Sequence, residues 1–206
     1  MNQFLDLEKI FSLASDLRYC AIKIDTPGFK KDFPKSYPLG RDVDIVCHTK
    51  DFDKLFKICD NNISYPKDHT RHIIRDSKTQ ARFRIHAPGY FLRPNPRPTD
   101  KMIQGKPWTQ LHFQIDITTE KDRAYSHLSN EFLNSLFFNL KSVNGVNVLS
   151  SEKESVFRFL SLVKSKRSSH HSDYISRYGS LKILESLRCE NFKNLHKDVL
   201  HNLVNC

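Results

Sequence analysis

Apolar residues recur along the first 120 residues with two different periods, that of a helix and that of a strand. Helical spacing predicts a helix over 3–18 and a second one that is capped by Thr49 or Asp51 and runs to about Asn61. Short apolar runs and alternating segments predict strands at 19–24, 43–47, 73–77, 81–86 and 111–117. Strands mixed with helices in this way predict an α/β (α+β) fold with a small mixed sheet.

The pattern becomes wholly helical after about residue 126. A stripe from Phe132 to Leu140 predicts one helix, which ends at a Val143-Asn144-Gly145 turn. Ser151 and Glu154 match a capping box, and further helices fit the residues beyond them. We therefore predict a core over residues 1–145 and a C-terminal helical region over 146–206.

Composition narrows the class of protein. The 206 residues are 38% hydrophobic, which is sufficient for a packed core, and no apolar run approaches the roughly 18 residues of a membrane span. The N-terminal sequence lacks the basic-then-apolar order of a signal peptide, so we expect a cytoplasmic protein. The five cysteines are odd in number and form no Cys-x-x-Cys pair, which favours reduced thiols.

Positive charge is concentrated in one segment. The formal net charge is +10, and residues 66–108 hold ten Lys/Arg against three Asp, or +7 of that total. Five prolines and two glycines in 87–108 indicate a long loop there. The segment is either a solvated basic face or a surface for an anionic partner such as nucleic acid, nucleotide or phosphorylated sugar.

Three aspartates stand out at the predicted strands. Asp42 and Asp44 follow Gly40-Arg41 at the start of one strand, and Asp116 lies among apolar residues of a later strand. Residues i and i+2 of a strand point to the same side, so Asp42 and Asp44 repel each other unless a cation lies between them. Carboxylates and substrate phosphates are the ligands that Mg²⁺ prefers. The set suits a two-metal phosphoryl- or nucleotidyl-transfer site, and purely structural acids are the other interpretation.

Several other residues allow two interpretations. Arg41 either contacts a phosphate or neutralises Asp42. Arg82 and Arg84 share a strand face that is either solvated or in contact with substrate phosphate. A second Asp-x-Asp, Asp51 and Asp53, opens a helix and is more typical of capping than of metal binding. His48 and His112 flank the acidic strands, and Trp108 either anchors the basic loop or stacks on a base.

Residues 19–120 resemble the nucleotidyltransferase superfamily of DNA polymerase β, in which an Asp-x-Asp strand and a third Asp on a later strand lie in a small mixed sheet. Within that superfamily, the chain resembles the small nucleotidyltransferases associated with bacterial surface-polysaccharide genes. Those pair a Lys-containing first strand with a Gly-x-Asp-x-Asp strand and append helices. The Gly-Ser usual before the Asp-x-Asp is absent, and Lys23-Ile-Asp-Thr-Pro-Gly28 stands in its place.

The resemblance implies an activity and a set of site residues. It implies transfer of a nucleoside monophosphate from an NTP to a small sugar-like or phosphorylated acceptor, with Mg²⁺ (or Mn²⁺) as cofactor and release of pyrophosphate. It further implies Asp42, Asp44 and Asp116 as metal ligands, with Asp116 also a candidate base. It suggests Lys23 for nucleotide binding, and the sequence adds Thr26, Gly40 and Arg41 as candidates beside it. Addition of nucleotides to an RNA end and non-catalytic nucleic-acid binding are the alternatives, both favoured by basic segment 66–108.

Overall fold

The computed structural model describes residues 6–24, 31–36, 42–64, 67, 69–75, 77–88, 109–126, 128, 130–150, 153–155 and 157–158. The helices are α1 (Leu7–Leu13), α2 (Phe52–Asn62) and α3 (Asn130–Ser135), with a 3₁₀ turn at Arg123–Tyr125. The strands are β1 (Tyr19–Ile22), β2 (Asp42–Cys47), β3 (Thr70–Ile74), β4 (Gln80–Pro88), β5 (Thr109–Thr119), β6 (Lys141–Val143) and β7 (Val146–Val148). Among these residues, no helix has the length and apolar character needed to cross a membrane.

The described strands form one mixed sheet in the order β3-β4-β5-β2-β1-β7-β6. β2 runs parallel to β5 at its centre, and β1 runs parallel to β7. β1–β2, β3–β4 and β4–β5 are antiparallel pairs. The predicted α+β class with a mixed sheet is therefore confirmed, and each predicted strand is present with bounds shifted by a few residues.

The apolar core lies between one face of the sheet and the helices α1 and α2. Every other residue of β2, β4 and β5 points to this face, because side chains alternate along a strand. The helices contribute residues three and four apart, and Asp6 caps α1 by accepting a hydrogen bond from the Lys9 amide at 2.9 Å. The core includes Leu7, Ile10, Phe11, Val43, Ile45, Phe52, Leu55, Phe83, Ile85, Phe113, Ile115 and Ile117. The opposite face of the same three strands carries polar residues of β2 and β5, together with the buried Val46.

The predicted helix through Leu140 is wrong, because the helix there is shorter and the β6–β7 hairpin follows it. α3 ends at Ser135, and Asn139 has a positive φ of 50° that does not fit a helix. Asn144 and Gly145 have φ of 50° and 80°, as the two central residues of a type I′ hairpin turn require. The turn predicted at this Asn-Gly pair is present, but it joins two short strands in place of ending a helix.

The chain divides into two compact units, Met1–Asp122 with Ser142–Val148, and Arg123–Lys141 with Leu149–Cys206. In the second unit, Lys153 Nζ donates to the carbonyls of Ser135 and Phe138, both at 2.6 Å. Residues 153–155 and 157–158 are helical, and the other helices predicted for the tail lie outside the described residues. The division at 145/146 therefore stays a prediction.

The cysteines that the structure describes agree with the expectation of reduced thiols. Cys20, Cys47 and Cys59 are buried thiols that form no disulfide. Burial raises the pKa of Cys59 to about 12, so this thiol stays protonated at neutral pH. Cys189 and Cys206 lie outside the described residues.

Tyr19→Phe will reduce the loss of stability at high pH. Burial raises the pKa of Tyr19 to about 12, although a hydrogen bond donated by the Asn147 amide opposes the shift. Because the folded protein holds this proton more tightly than the unfolded chain (pKa about 10), its stabilising effect is complete below pH 10 and is lost between pH 10 and 12. We expect urea unfolding at pH 8 and pH 11 to show a wild-type loss about 1.4 kcal/mol larger than that of the variant. Equal losses in the two proteins would contradict a buried phenol.

Candidate metal centre

Asp42, Asp44 and Asp116 lie together on the polar face of the sheet. β2 and β5 are parallel neighbours, and their register places Asp44 beside Asp116 and Asp42 beside Gln114. One carboxylate oxygen from each aspartate lies within 4.8 Å of the others. The two strands therefore bring into one cluster the three acids that the sequence singled out.

The local sequence explains this placement. Val43 and Ile45 are buried in the core, so strand alternation turns Asp42 and Asp44 to the opposite face. Ile115 and Ile117 do the same for Asp116 on β5. Adjacent strands are about 4.8 Å apart, which is why a residue directly beside another in parallel register brings its side chain within reach.

The neighbouring acids and burial both act on Asp116. Burial is the largest cause and raises the pKa of this carboxyl, and the negative charges of Asp44 and Asp42 raise it further. Arg82 opposes the shift in pKa through a hydrogen bond and its charge, but the net direction is upward. The cluster therefore holds mutually repelling negative charges, and a bound cation would relieve that repulsion.

Two basic side chains contact the cluster. Lys23 Nζ donates to Asp44 Oδ2 at 2.7 Å, and Arg82 Nε donates to Asp116 Oδ1 at 2.6 Å. The acids and their partners are half-buried, with 15–29% of each side chain exposed. The second oxygen of Asp116 accepts a hydrogen bond at 2.8 Å from Gln114 Nε2. Arg84 Nε in turn donates to Gln114 Oε1 at 2.7 Å, which sets the orientation of that amide.

A backbone break at the end of β1 directs Lys23 to the acids. Ile22 pairs with Asp44 across the antiparallel β1–β2 ladder, so the next residue of a regular strand would face the apolar core. Lys23 instead adopts a left-handed φ of 63°, which is unfavourable for a residue with a Cβ. This conformation ends the strand and allows Nζ to reach Asp44.

Four of the seven predicted site residues are brought together, namely Lys23, Asp42, Asp44 and Asp116. Thr26, Gly40 and Arg41 lie outside the described residues, as do residues 89–108 of the basic segment and with them Trp108. Sequence reasoning missed Gln114, although its position two residues before Asp116 on an alternating strand was the available signal.

The structure gives Arg82 a partner that neither sequence interpretation names. The sequence allows a solvated residue or a phosphate contact, and the structure pairs it with Asp116. The cause is the antiparallel β4–β5 register, in which Arg82 lies directly beside Asp116 and Arg84 beside Gln114. Strand pairing between distant segments therefore decides what the sequence leaves open.

The second Asp-x-Asp and His48 lie away from the cluster. Asp51 occupies the N-cap of α2 but makes no side-chain capping bond, and instead accepts a hydrogen bond from Arg18 Nε at 2.7 Å. Burial raises the pKa of Asp51, but the bonds from Arg18 outweigh it and hold the pKa below its usual value. His48 directly follows the end of β2, about 13 Å along the strand from Asp44. Its Nε2 lies 3.9 Å from Glu120 Oε1. The side chain of His112 is outside the described part of the chain.

The donor set fits a hard divalent cation. Mg²⁺ takes oxygen ligands from one or a few carboxylates and leaves its other positions to water and substrate phosphate. Three carboxylates on rigid strands, with mutual repulsion that raises the pKa of Asp116, supply such ligands. No group of three or more cysteines and histidines is found among the described residues, so a zinc-type site has no support there.

Comparisons with known proteins add one structural similarity. No protein-family model matches the chain. No curated protein matches it either. The crystal structure of an antigenic nucleotidyltransferase-like protein from Paracoccidioides brasiliensis is similar with a TM-score of 0.41 and 15% identity, over 98% of this chain and 89% of that one. A similarity at that level decides neither fold nor function, so both rest on the residues of this chain.

Proposed function

We propose that the protein is a magnesium-dependent nucleotidyltransferase. It transfers a nucleoside monophosphate from an NTP to a hydroxyl or phosphate of a small sugar-like or phosphorylated acceptor and releases pyrophosphate. The observation that carries this proposal is the convergence of Asp42, Asp44 and Asp116 from two parallel strands, with Lys23 at their edge. The resemblance in sequence to polymerase β-like nucleotidyltransferases supports the same reaction.

Each residue of the cluster has a stated role in the proposal. Asp42 and Asp44 would hold the metal ions, with Asp116 as a further ligand. Bound there, Mg²⁺ would polarise the phosphate oxygens and lower the pKa of the attacking group. Lys23 binds triphosphate oxygens as a point charge. Thr26, Gly40 and Arg41 are the further nucleotide-binding residues in the proposal.

The reaction is a displacement at the α-phosphorus of the NTP. The acceptor oxygen forms a new bond to that phosphorus while the bond to the bridging oxygen breaks, and the electron pair leaves with pyrophosphate. When the acceptor is a hydroxyl, Asp116 takes its proton; a phosphate acceptor attacks as the anion. The resemblance implies Asp116 as this base, and its carboxylate lies within the cluster of proposed metal ligands.

Thermal unfolding of the wild type with each of the four NTPs, with and without Mg²⁺, tests the proposal. We expect one or more NTPs to stabilise the protein only when Mg²⁺ is present. Binding contributes RT ln(1 + [L]/Kd), about 2.7 kcal/mol at a hundredfold excess over Kd. The stabilising NTP identifies the donor and sets the conditions for an acceptor screen.

Two results would contradict the proposal. Absence of a shift with every NTP would mean that the acids do not form a nucleotide site. RNA binding that weakens steeply with salt and is independent of Mg²⁺ would instead indicate a non-catalytic nucleic-acid-binding protein. Addition of labelled nucleotide to an RNA end, dependent on Mg²⁺, would keep the chemistry and replace the small acceptor by RNA.

A further inference from the structure

The charges in the cluster are nearly balanced by the protein itself. Three carboxylates contribute −3, and Lys23 and Arg82, each in contact with one of them, contribute +2. Asp42, the exposed member, has no ion-pair partner among the described residues. Lys23 and Arg82 therefore lie on carboxylate oxygens that a metal ion would need.

We propose that Lys23 and Arg82 are displaceable counter-ions that make phosphate binding depend on prior binding of the metal. Without a divalent cation they neutralise Asp44 and Asp116. When the cation binds these carboxylates, the two basic groups are released from them and become partners for the triphosphate of the substrate. This inference rests on the proposed function, because it requires a divalent cation at this cluster.

Electrostatic repulsion from a bound cation would move the two basic groups off the carboxylates. A divalent cation beside the carboxylates repels an ammonium and a guanidinium within a few ångströms, and this repulsion is strong in a half-buried site. Both basic side chains are 27–29% exposed, so solvent-facing space is available for them to move. A triphosphate carries several negative charges, and Arg matches phosphate oxygens with two parallel donors.

The partner of Arg82 differs from those of two other arginines on or next to β3 and β4. Arg84, two residues along the same face, donates through Nε to the neutral Gln114. Arg75 pairs with Asp53 on α2 and lies over the rings of Phe52 and Phe56. Arg82 instead donates directly to a proposed metal ligand, which makes it the arginine that a bound cation would displace.

Binding of Mn²⁺, followed by electron paramagnetic resonance, tests the competition without any substrate. We expect Arg82→Gln to bind Mn²⁺ about 5- to 100-fold more tightly than the wild type, since a competing cation has been removed. Arg82→Lys keeps the charge and should stay within about threefold of the wild type. Arg75→Gln makes the same change in net charge away from the cluster and should leave the Kd unaltered.

Binding of inorganic tripolyphosphate to the Mn²⁺-saturated proteins, followed by calorimetry, supplies the second measurement. We expect Arg82→Gln and Lys23→Gln to bind it at least about fivefold more weakly than the wild type. Without metal, the wild type should not bind it at the same concentrations. The signature of a displaceable counter-ion is therefore tighter metal binding together with weaker triphosphate binding.

The outcomes separate the two proposals. If neither wild type nor Arg82→Gln binds Mn²⁺, the metal-dependent function itself is wrong and this inference falls with it. If the wild type binds Mn²⁺ but Arg82→Gln binds it equally or more weakly, the function stands and Arg82 is a fixed structural partner of Asp116. Thermal unfolding of each variant confirms that the comparison is between folded proteins.

Discussion

Asp44→Asn will weaken Mn²⁺ binding by at least about a hundredfold and abolish the Mg²⁺-dependent stabilisation by NTP. Asp44 is the central acid of the cluster, beside Asp116 in register and two residues from Asp42. Loss of a residue that only orients a metal ligand commonly costs about 10- to 100-fold in affinity, so loss of a ligand should cost at least the upper value. Electron paramagnetic resonance and thermal unfolding with NTP measure the two effects.

The fold should survive this substitution. Asp44 and Lys23 form a partly exposed ion pair, a class that contributes about 0–1 kcal/mol, and removal of the charge also relieves repulsion within the cluster. We therefore expect the free energy of unfolding without metal to change by less than about 1 kcal/mol. Retention of wild-type Mn²⁺ affinity would show that the acids are not a metal centre.

Asp53→Asn is the matched control for this experiment. It makes the same chemical change in the second Asp-x-Asp of the chain, in the first turn of α2. Its side chain is 74% exposed and pairs with Arg75, away from the cluster. Mn²⁺ and NTP binding should equal those of the wild type. If Asp53→Asn also lost binding, the effect of Asp44→Asn would be due to net charge and not to loss of a metal ligand.

Phe83→Ala will lower the free energy of unfolding by about 3–5 kcal/mol, which is a large part of the roughly 5–15 kcal/mol typical of a native domain. Phe83 is 2% exposed, lies beside Ile115 in the β4–β5 pair, and has its ring centroid 5.2 Å from that of Phe56 on α2. Truncation removes buried apolar surface and leaves a cavity between sheet and helix. Urea unfolding, followed by circular dichroism, measures the change.

Phe138→Ala controls for the loss of an aromatic side chain as such. Phe138 is 66% exposed in the second unit, and its truncation should change the free energy of unfolding by less than about 0.5 kcal/mol. A loss below about 1 kcal/mol for Phe83→Ala would contradict the packing of β4 against α2.

Local pattern was sufficient for much of the site. Strand alternation in β2 and β5 places Asp42, Asp44 and Asp116 on the face away from the core. The reason is that their apolar neighbours along each strand are buried in the core, namely Val43, Ile45, Ile115 and Ile117. Lys23 is also identifiable as a candidate without knowledge of its contact with Asp44, although the strand predicted to contain it ends at Ile22. What no local pattern contains is the order and register of strands that are far apart in the chain.

The sequence by itself determined the α+β class, the strands and helices around the core, and the three acids, because these follow from periodicities that each segment carries alone. Tertiary structure decided that β5 lies parallel to β2, that Arg82 lies beside Asp116, and that residues 141–148 form a hairpin. It also turned Lys23 toward Asp44 through a left-handed backbone. The hairpin is local, and its Asn-Gly turn was the signal that the sequence offered for it. For the two pairings of β5, the physical reason is that strand pairing joins residues 30 or more positions apart, whose proximity depends on how the whole sheet packs over its core.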